Sequence, residues 1–237
     1  MIVIAHRGAS AYAPQNTAPA FELAKKMNAD GIECDVHFSA DGELIVCHDP
    51  VPTYGCGYDS PPICTQTLAE LKKLEMTYGM EGFAGNRIIT LDEMLEIVSD
   101  MRLINIEIKP GPDGKPYEGI LPAVIEKLRA HKCFDRTIIS SFIHSTAKEA
   151  TDCGLSGAIL YGELGGRDAQ YGTELGVNGL HPFFGQLRQE TVRQAKAAGL
   201  YVNAWTVDDQ EYMLRLKEWG ADGIITNKPD VGHKTVK

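Results

Sequence analysis

The chain has 237 residues, 43% of them hydrophobic, with 23 basic against 32 acidic side chains and a formal net charge of −9. That length and apolar content suffice for a sizeable core and argue against disorder, while the negative balance argues against nucleic-acid binding, which draws on a basic surface. No apolar run reaches the roughly 20 residues of a membrane span, and the opening MIVIAHRG lacks the basic region and long apolar segment of a secretion signal, so a cytoplasmic address without a stable membrane anchor is expected.

The first strand-like run covers residues 2–6 and ends at His6-Arg7-Gly8. Residues 17–27 carry Ala20, Phe21, Ala24 and Met27 at helical spacing. A second strand, GIECDV at 31–36, is followed by a third run, LIVCH at 44–48. Only a short stretch containing Asp41-Gly42 separates these two runs. Asp-Gly is a hairpin turn signal, and a parallel crossover needs about a dozen residues or more. The run at 44–48 is therefore predicted to return antiparallel. A two-residue turn at Asp41-Gly42 sets Asp35 opposite His48.

The Gly/Pro-rich stretch 49–66 is expected to be a loop insertion over the mouth of the site. Thr67 with Glu70, and Thr90 with Glu93, have the spacing of capping boxes. Strand-like runs then recur at 103–109, 137–142, 158–161, 177–181, 201–207 and 222–226. Helical patterns at 120–131, 145–153, 190–198 and 209–219 alternate with them, several closed by glycine (Gly154, Gly199, Gly220). The stretch 162–173 reads as a second flexible segment. With the hairpin arm set aside, eight parallel strands remain. The prediction is an α/β chain, a single domain over 1–237 built as a (β/α)8 barrel with a short hairpin and loop insertion after the second strand. In such a barrel function gathers at the C-terminal ends of the strands.

Five polar residues interrupt runs that otherwise read as buried strand: Glu33, Asp35, His48, Glu107 and Lys109. Residues i and i+2 of a strand share a face, so Glu33 aligns with Asp35 and Glu107 with Lys109. Buried carboxylates require a cation or hydrogen-bonded partner. An oxygen-only set points to one divalent cation, Mg²⁺ or Ca²⁺, rather than zinc. The competing structural reading is a salt-bridge network with Lys109 and Arg7. His6 and His48 are suited to proton transfer, and Arg7 and Lys109 to holding a phosphate. Asn203 and Trp205 share a face of one strand. Together with Phe142 they are assigned to a pocket for a small polyol. His37, His131, His144 and His233 read as surface or loop residues. The six cysteines form no CxxC pair and no zinc spacing, and are expected to be free thiols.

The ordered set HRGASAYAPQNT (6–17), ECD (33–35), CHD (47–49), TLAELKKL (67–74), EIK (107–109), SSF (140–142), NAWTV (203–207) and ADGIITNKP (221–229) resembles the glycerophosphodiester phosphodiesterase family over nearly the whole chain. The resemblance implies a TIM-barrel hydrolase that cleaves small-molecule glycerophosphodiesters to an alcohol and sn-glycerol 3-phosphate. It implies Glu33, Asp35 and Glu107 as metal ligands, His6 and His48 as the acid–base pair, and Arg7 and Lys109 as phosphate contacts. Two departures stand out. The family usually has PENT where this chain has Pro14-Gln15-Asn16-Thr17, and often an RTT-like stretch where it has Pro52-Thr53-Tyr54. A lysophospholipase D-like reaction on the same barrel is the nearest alternative, and a non-catalytic glycerophosphate-binding barrel a more distant one. If the chain self-associates, a homodimer is the expected form.

Overall fold

The computed structural model describes residues 1–237. Ten strands form one sheet: β1 (Ile2–His6), β2 (Gly31–Phe38), β3 (Leu44–Val46), β4 (Ile89–Thr90), β5 (Leu103–Ile108), β6 (Thr137–Ser141), β7 (Ser156–Tyr161), β8 (Gly179–Pro182), β9 (Tyr201–Ala204) and β10 (Gly223–Thr226). Eight of them are parallel and close into a barrel, because β1 pairs with both β2 and β10. β3 and β4 extend from β2 as an antiparallel pair outside the ring. The (β/α)8 barrel anticipated from strand–helix alternation is the fold observed.

Strand parity divides the side chains between two environments. On β7, Ile159 and Tyr161 pack outward into an apolar cluster that includes Val192, Val202 and Met213, whereas Leu160 lines a cavity in the barrel mouth. A second outer cluster, around Phe21, Ile32, Ile104, Ile106 and Val124, covers β2 and β5. Burying these faces is the main favourable term in folding. It fixes which residues are left pointing inward.

The helices form where the apolar spacing places them. Ala18–Lys26 buries Ala20, Phe21 and Ala24, and Ile120–Ala130 buries Ile120, Leu121, Val124 and Leu128. Both capping boxes are present, each Thr hydroxyl accepting from the backbone N–H of the Glu three residues on. The 162–173 stretch is not loop throughout: the helix Asp168–Leu175 occupies much of it, closed by a left-handed Gly176. Four glycines within that segment (Gly162, Gly165, Gly166 and Gly172) mask its helical pattern. Residues 47–88 carry short helices at Thr53–Cys56 and Leu68–Leu71 and a 3-10 turn at Ile63–Thr65. These pack on a small core of Ile45, Cys47, Ile63, Leu71, Met76 and Ile88.

The hairpin register differs from the two-residue prediction by one position. Val36 pairs with Val46, His37 with Ile45 and Phe38 with Leu44. The Ser39 N–H donates to Glu43 O (2.9 Å), and the Gly42 N–H donates to Ser39 O (3.2 Å). Gly42 is left-handed at φ +82°. This is the arrangement of a three-residue loop ending on a left-handed glycine. Asp35 consequently faces Cys47, whose N–H donates to Asp35 O at 3.1 Å, and not His48. His48 lies just past β3, free of strand parity.

Candidate active site

The chain leaves β1 through a tight turn. Arg7 (φ +55°) and Gly8 (φ +82°) are both left-handed. A Cβ on Gly8 would lie 2.6 Å from the Ala20 carbonyl carbon, so only glycine fits there. The turn aims the Arg7 N–H at Glu33 Oε2, 2.9 Å away, and brings Arg7 Nε to 3.2 Å from Asp35 Oδ2. Arg7 Nη1 also donates to Gln15 Oε1 at 2.8 Å. Gln15 thus anchors Arg7 without neutralising it, as a glutamate in its place would. Asn16 Nδ2 donates to Asp35 Oδ2 at 2.8 Å, which ties the 14–17 motif to the acidic cluster.

β2 and β5 run parallel with Asp35 beside Glu107. That register explains the convergence. One carboxylate oxygen from each of Glu33, Asp35 and Glu107 lies within 4.8 Å of the others, and all three residues are buried. Lys109 Nζ donates to Glu107 Oε1 at 2.6 Å and stands 3.4 Å from Asp35 Oδ1. Burial, together with the charge on Asp35, pushes the Glu33 and Glu107 carboxyls above their usual range. Burial opposes ionisation of Asp35 as well, but Lys109 and Arg7 outweigh it and hold that carboxyl below its usual range. Asp35 Oδ1 is buried without a hydrogen-bond partner. Three hard oxygen donors at this spacing, one of them unpartnered, fit a metal ion.

The two imidazoles are oriented differently. His6 Nδ1 is 2.7 Å from Asn227 Oδ1. Asn227 Nδ2 donates to Asp208 Oδ2 at 2.6 Å, and Asp208 Oδ1 accepts from the Asn227 N–H (2.8 Å) and the Thr226 hydroxyl (2.9 Å). Ser10 Oγ donates to Asn227 Oδ1 at 2.7 Å. Burial, reinforced by Arg7, lowers the His6 pKa to about 4. His48 Nδ1 is 2.8 Å from Asp49 Oδ1, and this bond holds the Asp49 carboxyl below its usual range. Asn227 and Asp208 escaped the sequence reading, although both directly follow predicted strands, where a barrel gathers function.

His6, Arg7, Glu33, His48, Glu107, Lys109, Phe142 and Trp205 line one cavity of about 200 Å³ in the barrel mouth. Asp35 lies behind its wall. Trp205 is packed by Phe142 and Phe183, with ring centroids 5.5 and 5.7 Å away, and its indole N–H donates to His181 O. Asn203 does not line this cavity. Its amide is 3.1 Å from His181 Nε2, and it opens instead on a hollow with Ile2, Leu103 and Tyr201 near the strand starts. The reason is position along β9: Asn203 is one layer deeper than Trp205. His37 is also not a surface residue. It is fully buried, bonded to Tyr117 Oη (3.0 Å) and to His48 O (3.1 Å), and so fixes the backbone that presents His48. His131 is partly buried on Asp92, and His144 on Tyr171 and Leu160 O.

Residues 6–231 match the model of the glycerophosphoryl diester phosphodiesterase family. A glycerophosphodiester phosphodiesterase of Caldanaerobacter subterraneus subsp. tengcongensis is 38% identical, over 97% of this chain and 95% of its own length. One of Bacillus subtilis is 32% identical, over 100% of this chain and 87% of its own. Among solved structures, an Oleispira antarctica phosphodiesterase in complex with the product sn-glycerol-3-phosphate superposes with a TM-score of 0.89 at 28% identity, covering 100% of this chain and 96% of that one.

Proposed function

The chain belongs to the glycerophosphoryl diester phosphodiesterase family, and from that premise we propose how its site hydrolyses glycerophosphodiesters to an alcohol and sn-glycerol 3-phosphate. The observation that carries the reading is the meeting of three buried carboxylates (Glu33, Asp35, Glu107), two cations (Arg7, Lys109) and two separately anchored imidazoles around one cavity.

Charge balance supports a cation in the acidic cluster. Three carboxylates against Arg7 and Lys109 leave a local excess of one negative charge when all are ionised, unsuited to an anionic phosphodiester. A divalent cation held by Glu33, Asp35 and Glu107, Mg²⁺ or Ca²⁺, would supply Lewis-acid polarisation of a non-bridging phosphoryl oxygen. Arg7 and Lys109 line the cavity and serve to hold the remaining phosphoryl oxygens as charge grows on them.

The hydrogen-bond network divides the proton work between the histidines. Asn227 donates its amide protons toward Asp208, so its Oδ1 accepts, and His6 Nδ1 must carry the proton. His6 Nε2 is then a lone pair, and burial keeps the ring neutral. His6 is the general base, removing a proton from the attacking hydroxyl of the glycerol C2 or of water. His48, with Nδ1 held by the Asp49 carboxylate, is oriented to act as the general acid that gives a proton to the leaving alcohol. Phe142 and Trp205 supply an apolar wall for the carbons of the glycerol moiety. No helix is long and apolar enough to cross a membrane. The six free cysteines support a reducing compartment such as the cytoplasm as the working site.

The test is phosphorus NMR of product formation over a panel of glycerophosphodiesters, with Mg²⁺, Ca²⁺ and chelator in parallel. Formation of sn-glycerol 3-phosphate that stops on chelation supports the reading. Full activity of metal-free protein, checked by elemental analysis, rejects the metal assignment.

A further inference from the structure

The main chain at His48 is held by a side chain. The β2–β3 ladder ends where the Cys47 N–H donates to Asp35 O at 3.1 Å, and His48 makes no backbone–backbone hydrogen bond of its own. Its carbonyl is bonded instead to His37 Nε2, 3.1 Å away. A carbonyl oxygen only accepts, so His37 Nε2 carries a proton. Nδ1 of the neutral ring is then a lone pair, and it accepts from the Tyr117 hydroxyl at 3.0 Å. Tyr117 also stands edge-on to His37 and Phe38, with ring centroids 5.9 and 6.0 Å away. It comes from the segment 110–119 that follows Lys109. That segment is folded on itself, the Gly111 N–H donating to Lys115 O at 2.8 Å. A fully buried imidazole thus ties the stretch that leaves Lys109 to the stretch that carries His48, and both of those residues line the cavity. Neither His37 nor Tyr117 lines it.

We propose that His37 and Tyr117 are positioning residues for the acid step: Tyr117 orients His37, His37 holds the His48 main chain, and the pair governs protonation of the leaving alcohol without touching substrate. The proposal rests on the assignment of His48 as general acid. Misplacing a catalytic group by about 1 Å costs about 10²-fold in rate. The bond from His48 Nδ1 goes to Asp49, the next residue in the chain. A shift of the local main chain carries both partners together, so that bond does not fix the imidazole relative to the barrel. The bond from His37, which stands on β2, supplies the missing tie.

The experiment compares two leaving groups. Turnover of glycerophosphocholine is set against that of a nitrophenyl ester of glycerol phosphate, whose leaving group departs without a proton. The proteins are the unaltered chain, His37→Leu, His37→Gln and Tyr117→Phe, with His48→Ala as the reference. His37→Leu is expected to lose about 10–10²-fold in kcat on glycerophosphocholine, with KM little changed, and less than about threefold on the nitrophenyl ester. His37→Gln keeps an amide N–H that reaches toward the His48 carbonyl and should recover most of the loss. Tyr117→Phe keeps the ring and removes only the hydroxyl, so it should lose about 3–10-fold with the same dependence on leaving group. An equal loss on both substrates in His37→Leu means that His37 serves the fold alone, and overturns the proposal. If His37→Leu fails to fold, Tyr117→Phe decides: unchanged turnover of glycerophosphocholine overturns the proposal, and a loss confined to that substrate supports it. Hydrogen exchange at the His48 and Asp49 amides reads the restraint without turnover. It should quicken in His37→Leu and stay near the unaltered rate in His37→Gln. Unchanged exchange in His37→Leu rejects the positioning role alone. Quickened exchange beside a His48→Ala variant that the nitrophenyl ester does not rescue supports the restraint and rejects the acid assignment of His48 alone.

Discussion

His6 and Asn227 stand 221 residues apart in sequence, yet their side chains meet at 2.7 Å. They meet because the barrel closes β1 against β10, which sets the end of β1 beside the residue that follows β10. Asp208 completes the chain, and it fixes which way the Asn227 amide faces. The outcome is one imidazole tautomer, decided three residues away from the reacting atoms.

If this chain sets the tautomer, Asn227→Ala should lower kcat by about 10–10³-fold while KM changes little, since misorienting a catalytic base costs the transition state and not binding. Asp208→Asn should act in the same direction, because its amide no longer dictates the orientation of Asn227. The ¹⁵N shifts of His6 in histidine-labelled protein supply the check: an Nδ1-protonated ring in the unaltered protein, and a mixture in Asn227→Ala. An unchanged tautomer in the variant would refute the role of Asn227.

Proton transfer itself is tested by His6→Ala and His48→Ala. Each should lose about 10²–10⁴-fold in turnover with the fold retained by circular dichroism. The two should differ on substrates with an activated leaving group. A nitrophenyl phosphodiester needs no protonation of its leaving oxygen, so it should rescue His48→Ala much more than His6→Ala. Equal rescue of both variants would reverse or dissolve the division of labour.

The acidic cluster predicts a metal-linked stability. Mg²⁺ or Ca²⁺ binding only the folded chain should raise its melting temperature, by an amount equivalent to about 2.7 kcal/mol when the ion is at 100 times its Kd. Asp35→Asn and Glu107→Gln should flatten that dependence, because each removes an ionised oxygen from the set. Scanning calorimetry over a metal titration reads this without any substrate. A metal response as large in Asp35→Asn as in the unaltered protein would place the ion elsewhere.

Much of this site was legible because strand parity is rigid. Once 31–36 and 103–109 were read as strands, Glu33, Asp35, Glu107 and Lys109 had to share faces, and the β2–β5 register brought them together. Legibility ended where a single residue of turn length decides the outcome. Asp41-Gly42 signals a hairpin in either a two- or a three-residue loop, and the extra residue placed Asp35 opposite Cys47. His37 was misplaced because strand parity puts it on the outer face of β2, which reads as surface until Tyr117 and the insertion are seen to cover it. Asn227 carries no periodic signal at all. Its partner was knowable only from the closure of the barrel.

Two buried histidines that take no direct part in the proton transfer give the last prediction. Burial lowers His181 to about 3 and His37 to about 4, from an ordinary 6.5. Both are fully buried. Their folded pKa values lie below the unfolded ones, so between about pH 6.5 and 4 the unfolded chain binds more protons. Stability from this source is therefore complete above pH 6.5 and falls as pH drops, by roughly 2 kcal/mol per group at pH 5. The raised carboxyls of Glu33 and Glu107 work in the opposite sense, since acid relieves their repulsion. Comparing the unaltered protein with His181→Gln cancels that contribution. Glutamine keeps an oxygen that can accept from Asn203 but adds no proton in this range. The loss of melting temperature between pH 7.5 and pH 5 should accordingly be smaller in His181→Gln. An equal loss in both proteins would mean that His181 is not held neutral by its burial.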